Sequence, residues 1–166
     1  MRLNPSKKIP VLLHGEGIFT ESLAIMEYLN DISKAHNLIP INPSKAFHYR
    51  KIVHYGLTEV EPYLWIAEQA SHLRALYNWP DGTYEQAMVL LKQNINLVWQ
   101  WVDNTAIHIT GEEFTLADIY YYHLITWPKQ HNIEYPIGVE SYLKQLQARE
   151  AFPEEMLSNS SIPIKQ

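Results

Sequence analysis

Two residue pairs have types and spacing that could do chemistry: Ile9-Pro10 and Glu21-Ser22. A serine at a helix N-terminus can hold a carboxylate through its hydroxyl and its backbone N–H, aided by the helix dipole. Taken alone, a Glu-Ser pair is also an ordinary way to cap and charge a surface helix. Ile9-Pro10 is an X-Pro bond, and roughly 5% of such bonds in folded proteins are cis. A cis bond there would turn the Ile9 backbone outward, where its N–H and C=O could pair with an extended ligand as an added strand.

A third pattern, Phe114-Thr115-Leu116-Ala117-Asp118-Ile119, has a physical reading of its own. Thr115 at an N-cap can accept from the Asp118 N–H, and the Asp118 carboxylate can accept from the Thr115 N–H, as a capping box. Phe114 and Ile119 stand where a hydrophobic staple would join them. Such a start stabilises a helix by about 1 kcal/mol. A catalytic role for Asp118 is the competing reading, and the structural cap is preferred.

Other chemistries are absent from the pattern. With no cysteine, this chain offers no disulfide, thiolate or Cys-bound metal. The eight histidines include no pair at zinc-binding helical spacing and no HExxH, so they read as surface or core residues and no metal is expected. There is no phosphate loop and no Gly-x-Ser-x-Gly. A net charge of -5 gives no footprint for nucleic acid and no basic cluster for an anionic membrane. No apolar run is long enough to span a bilayer. The apolar run at the N-terminus ends at His14, too early for a signal-peptide core, and the expected location is cytoplasmic.

The elements that must position these residues follow from periodicity. The 166 residues are 46% apolar and 19% charged, which suits a folded chain with one good core or two small ones. Val11-Leu12-Leu13 reads as a short strand, Gly15-Glu16-Gly17 as a turn, and Ile18-Phe19 as a second strand. A helix starts near Ser22, with Ile25, Met26 and Leu29 on one face directed at a core. Ile39-Pro40-Ile41-Asn42-Pro43 breaks the pattern and marks a boundary. Beyond it the chain is helical. One segment runs over 44–75, kinked or split by Pro62. A second runs over 84–105, with Ala87, Leu91, Ile95, Val98 and Val102 on one stripe and Leu90, Leu97 and Trp101 on another. Further helices run from Thr115 to about Trp127 and over 141–149, and the tail Ser158 to Pro163 reads as loose.

Together these residues resemble the glutathione transferase family. Asn4-Pro5, Ile9-Pro10-Val11-Leu12, the hairpin and Glu21-Ser22 are similar to its glutathione-binding segment. Leu38-Ile39-Pro40 resembles its interdomain linker, and Phe114 to Ile119 resembles a buried helix start in its C-terminal domain. Tyr135-Pro136, Tyr142 and the run from Gln147 to Pro153 resemble the family's C-terminal end. The family usually has Gly near Lys7, where this chain has lysine.

The resemblance implies a mainly α fold: an all-helical C-terminal domain over 44–157, preceded by the last β-hairpin and helix of a thioredoxin-like domain over 1–36. It implies a cis Ile9-Pro10 bond and binding of glutathione by Ile9, Pro10, Glu21 and Ser22. Glutathione would serve as cosubstrate, with no cofactor. Ser22 would take the γ-glutamyl carboxylate and Glu21 the α-amino group beside it. Tyr55 and Tyr120, with Trp65 and Tyr121, fall on helices that flank the family's pocket for an apolar electrophile. Helix-core packing accounts for these aromatics equally well. The family's thiol-activating Tyr, Ser or Cys lies on its first strand, and no residue here matches it. The implied activity is transfer of the glutathione sulfur to an apolar electrophile by the complete form, as a homodimer, with this chain alone inactive. A non-enzymatic glutathione-transferase-like binding or protein-interaction module is the alternative.

Overall fold

The computed structural model describes residues 3–33, 37–102, 106–131 and 133–153. The tail from Ser158 to Pro163 lies outside them. The first strands, β1 (Val11–His14) and β2 (Gly17–Thr20), form an antiparallel hairpin in the register Val11 to Thr20 and His14 to Gly17. The two-residue turn needs a positive φ at its first position. Gly15 supplies it at 58°, the pattern of a type II′ turn.

Helix α1 (Ser22–Ile32) follows at once. Ile25 is buried, and Leu23 and Met26 pack against the main core. Leu29, expected on the same buried face, stays 45% exposed. Part of α1 is committed to the hairpin instead, where Tyr28 stacks on Phe19 with ring centres 4.1 Å apart.

Helix α2 (Pro43–Tyr55) begins where the sequence allows it. Pro43 sits in the first turn, where its missing N–H costs nothing, and the Asn42 side chain accepts from the N–H groups of Ser44 and Lys45. The chain then widens into a π-helical turn over Gly56–Val60 before α3 (Glu61–Ala70). Pro62 lacks an N–H, and its ring crowds the carbonyl four residues back. The π turn just upstream absorbs this, so the helix is re-spaced rather than broken. α3 ends at Ala70, five residues short of the expected stop. There Ser71 turns its hydroxyl back onto the Ala67 carbonyl at 2.6 Å, and the chain enters turns.

Helix α4 (Thr83–Trp101) buries Ala87, Leu91, Ile95 and Val98 along its stripe. It ends before the expected Thr105, because Val102 is extended. The second stripe is only half covered, with Leu97 37% exposed. Helix α5 (Leu116–Thr126), a short 3-10 turn (Trp127–His131) and α6 (Val139–Gln147) complete the chain. α6 starts two residues before the expected Ser141, after Gly138 at φ 97°.

The core lies among α2, α3, α4, α5 and α6, around Ile52, Leu64, Leu91, Leu124 and Leu146. α1 joins it against α5, and the connection is tied down twice. The Asn30 side chain accepts from the Leu38 N–H at 2.7 Å, and the Leu38 carbonyl accepts from the Leu116 N–H at 3.1 Å. The result is a mainly helical fold carrying one small hairpin, as the resemblance implies. No helix among the described residues is long and apolar enough to cross a membrane.

Candidate functional site

The approach to Ile9 is built by Asn4. Its amide donates to the Lys8 carbonyl at 2.8 Å, and its side-chain oxygen accepts from the Ser6 N–H at 2.9 Å. This closed loop forces Lys7 to φ 59°, the left-handed region that glycine enters without steric cost. Lysine therefore holds a conformation that glycine would adopt at less cost. Lys8 reaches across to α3, its ammonium 5.5 Å from the centre of the Trp65 ring. Ile9 follows, 92% exposed, and its bond to Pro10 is cis.

The hairpin register carries this segment to Glu21 and Ser22. Val11 pairs with Thr20, so Pro10 and Glu21 flank the last rung on the same side, with Ile9 and Ser22 one step further. Glu21 holds φ 71° and ψ 114°, a strained backbone for a residue with a Cβ. It occupies the N-cap of α1, yet no side chain caps that helix start. Ser22 is exposed, and the first turn of α1 has no hydrogen bond from an N-cap side chain. A helix start of this kind favours an anion.

The four aromatic candidates divide by burial. Tyr120 is 3% exposed and its hydroxyl donates to the Glu61 carboxylate. Tyr121 is equally enclosed and donates to the Ile52 carbonyl at 2.9 Å. Burial, and for Tyr120 the Glu61 carboxylate as well, pushes both phenols far above their ordinary value, so they remain neutral donors. Tyr55 is half-buried, donates to Asn94 at 2.9 Å and meets the edge of Trp101. Trp65 is 38% exposed, lies next to Lys8 and packs edge-on to Trp127. Of the four, Trp65 offers the most surface on the side of Ile9.

Asp118 is fully buried at the start of α5 and forms the capping box with Thr115. Its carboxylate accepts from the N–H groups of Thr115 (2.8 Å) and Ile109 (2.9 Å) and from the Tyr142 hydroxyl (3.1 Å). This carboxylate is used up in joining α5, α6 and the loop before them. Ile119 is 40% exposed, and Phe114 packs on His108 and beneath Arg149.

A second constellation was not legible in the histidine spacing. Glu68 on α3, His72 one turn later and His131 at the end of the 3-10 turn meet with their donor atoms within 4.8 Å of one another. The only local signal is Glu68 four residues before His72. His131 arrives through the tertiary fold.

Residues 1–31 match the family model described as glutathione S-transferase, N-terminal domain. Over 61 residues the chain is 38% identical to a probable maleylacetoacetate isomerase of Vibrio cholerae, a match covering 37% of this chain and 28% of that relative. Among solved structures it resembles human glutathione S-transferase T1-1 in its apo form, with TM-score 0.77 and 19% identity over 95% of this chain and 68% of that one. It also resembles a Sulfitobacter glutathione transferase homologue with bound glutathione, with TM-score 0.70 and 20% identity over 96% and 77%. At these identities the structural likeness is one of fold.

Proposed function

We propose that this chain is a member of the glutathione S-transferase family, as its matching N-terminal segment and its fold support, and that the Ile9-Pro10 and Glu21-Ser22 corner binds glutathione. The observation that supports this reading is the hairpin register, whose last rung, Val11 to Thr20, is preceded by Ile9-Pro10 and followed by Glu21-Ser22, at a helix start with no side-chain cap. The Ile9 N–H and C=O pair with the peptide backbone as an added strand. Ser22 and the first-turn amides take the γ-glutamyl carboxylate, and Glu21 takes the neighbouring ammonium.

In this reading residues 1–36 are part of a thioredoxin-like glutathione domain and 44–157 are the helical domain. The complete protein transfers the glutathione sulfur to an apolar electrophile, bound on the side of Trp65 and Tyr55. The thiolate is the nucleophile, and the hydroxyl or thiol that stabilises it comes from outside these 166 residues. The protein works as a homodimer, with Phe47, 69% exposed on α2, on the surface that meets the partner. It acts in the cytoplasm, where thiols are kept reduced.

The test is passage over immobilised glutathione, elution with free glutathione, and a conjugation assay with an aryl halide. The expected result is retention without turnover by this chain. Turnover would overturn the placement of the activating group. Loss of retention would overturn the glutathione site and leave the protein-interaction module as the reading.

A further inference from the structure

We propose that Glu68, His72 and His131 bind one divalent transition-metal ion, with zinc(II) as the type and water in the remaining position. The site lies at the C-terminal end of α3, built from different residues than the glutathione corner, and does not depend on that reading.

The geometry is close to that of a ligand set. Zinc bonds of about 2.0–2.2 Å at a tetrahedral angle place neighbouring donors roughly 3.3–3.5 Å apart. Each imidazole meets its own oxygen of the Glu68 carboxylate: His131 Nε2 lies 3.2 Å from Oε1, and His72 Nδ1 lies 3.1 Å from Oε2. With one donor atom taken from each residue, all three lie within 4.8 Å of one another. The side chains of His131 and Glu68 are 4% and 11% exposed, so their positions are fixed by packing, whereas His72 is 43% exposed and free to adjust. An ion can enter from the His72 side without disturbing the core.

The surroundings orient the donors as outer-shell groups do around a metal. The Tyr84 hydroxyl lies 3.0 Å from His131 Nδ1, which leaves Nε2 as the nitrogen aimed at Glu68. The Trp127 indole N–H donates to Glu68 Oε1 at 3.1 Å and fixes the carboxylate plane. The Tyr84 hydroxyl oxygen is placed to accept from Nδ1–H once Nε2 is a ligand. Two imidazoles and one carboxylate suit zinc, cobalt, nickel or copper(II). Magnesium and calcium demand more oxygen ligands.

The test is calorimetric titration of the full chain with zinc chloride in buffer free of glutathione, repeated with cobalt(II) to read the tetrahedral absorption bands. One equivalent should bind in the micromolar range or tighter, with a rise in Tm. His72→Ala should weaken binding at least tenfold and abolish the Tm rise, and Glu68→Gln should do the same. His54→Ala, an exposed histidine on α2, should change neither. Circular dichroism checks that each variant is folded. Absence of micromolar binding, or binding that both His72→Ala and Glu68→Gln leave intact, would overturn the site. Magnesium binding as tight as zinc would overturn the donor-set argument.

Discussion

Val11 lies directly across the hairpin from Thr20. Antiparallel partners stand about 4.5–5.5 Å apart, so the residues on either side of this rung are neighbours in space. Pro10 and Glu21 flank it, and Ile9 and Ser22 come next. Ser22 is exposed, and among the described residues its hydroxyl has no hydrogen-bond partner, which leaves it for a ligand. Replacing it with alanine removes one hydrogen bond to a charged group, worth roughly 1.5–3 kcal/mol. Ser22→Ala is therefore expected to weaken glutathione binding about tenfold or more, measured by titration, with Tm unchanged.

Asp118 bears on the fold rather than on the ligand. Alanine at this position strands the Thr115 and Ile109 N–H groups and the Tyr142 hydroxyl in a buried space. Each orphaned donor costs about 1–3 kcal/mol, partly relieved by relaxation. Asp118→Ala is expected to lose roughly 3–5 kcal/mol in urea unfolding. A soluble Asp118→Ala protein with an unchanged urea midpoint would contradict the assignment of this carboxylate to structure.

The imidazole of His108 lies 3.7 Å from the Asp118 carboxylate, too far for a hydrogen bond. Its pKa is lowered chiefly by burial; Asp118 pulls it back up and Arg149 pushes it further down. The folded protein thus resists protonation at His108, while the unfolded chain takes the proton near 6.5. Stability from this residue is complete above about 6.5 and falls as the pH drops below it, since the unfolded state binds more protons there. His108→Gln should flatten the dependence of the urea midpoint on pH below about 6.5. Some slope should remain, because burial and then Lys51 lower His48 in the same direction.

What the sequence made legible was local. The α4 stripe, the Gly15 turn and the Thr115–Asp118 box each depend on residues within a few positions, where period and cap chemistry speak directly. The Ile9-Pro10 and Glu21-Ser22 pairs stand out through the family resemblance, since taken alone an X-Pro bond and a Glu-Ser helix start are ordinary. The π turn has no sequence signature, because it shifts backbone hydrogen bonds by one residue and leaves no apolar period of its own. The Glu68, His72 and His131 cluster is hidden for another reason. Its histidines have no helical spacing between them; the one local pair is a carboxylate and a histidine, and the third donor is 59 residues from His72 along the chain.

Gly56 opens the π turn with an ordinary helical φ of -56°, so its value lies in space rather than backbone freedom. A Cβ there would stand 2.7 Å from Tyr120 Cε1 and 3.1 Å from the Tyr121 hydroxyl oxygen. Neither ring can swing aside, because each hydroxyl is bonded across to Glu61 or to the Ile52 carbonyl. Alanine normally gains about 0.5–1 kcal/mol over glycine in a helix. Overpacking of about 1–3 kcal/mol exceeds that. Gly56→Ala is expected to lower stability by roughly 1–2 kcal/mol in urea unfolding. A higher urea midpoint would show that α5 yields at this point.

Glu21 and Lys7 both hold positive φ, at 71° and 59°. Each strained residue costs about 1–3 kcal/mol, and glycine would relieve the strain while adding about 0.5–1 kcal/mol of unfolded-state entropy. Lys7→Gly and Glu21→Gly are each expected to raise stability in urea unfolding modestly, by about 1 kcal/mol or less. Their effects on glutathione should differ. Lys7 lies in the loop that Asn4 already holds, so Lys7→Gly should bind as the parent does. Glu21→Gly removes the carboxylate proposed to meet the γ-glutamyl ammonium and should weaken binding about tenfold or more, the loss of one charge-assisted contact. If Glu21→Gly were both more stable and equally competent to bind, the strain at Glu21 would have no part in holding the ligand.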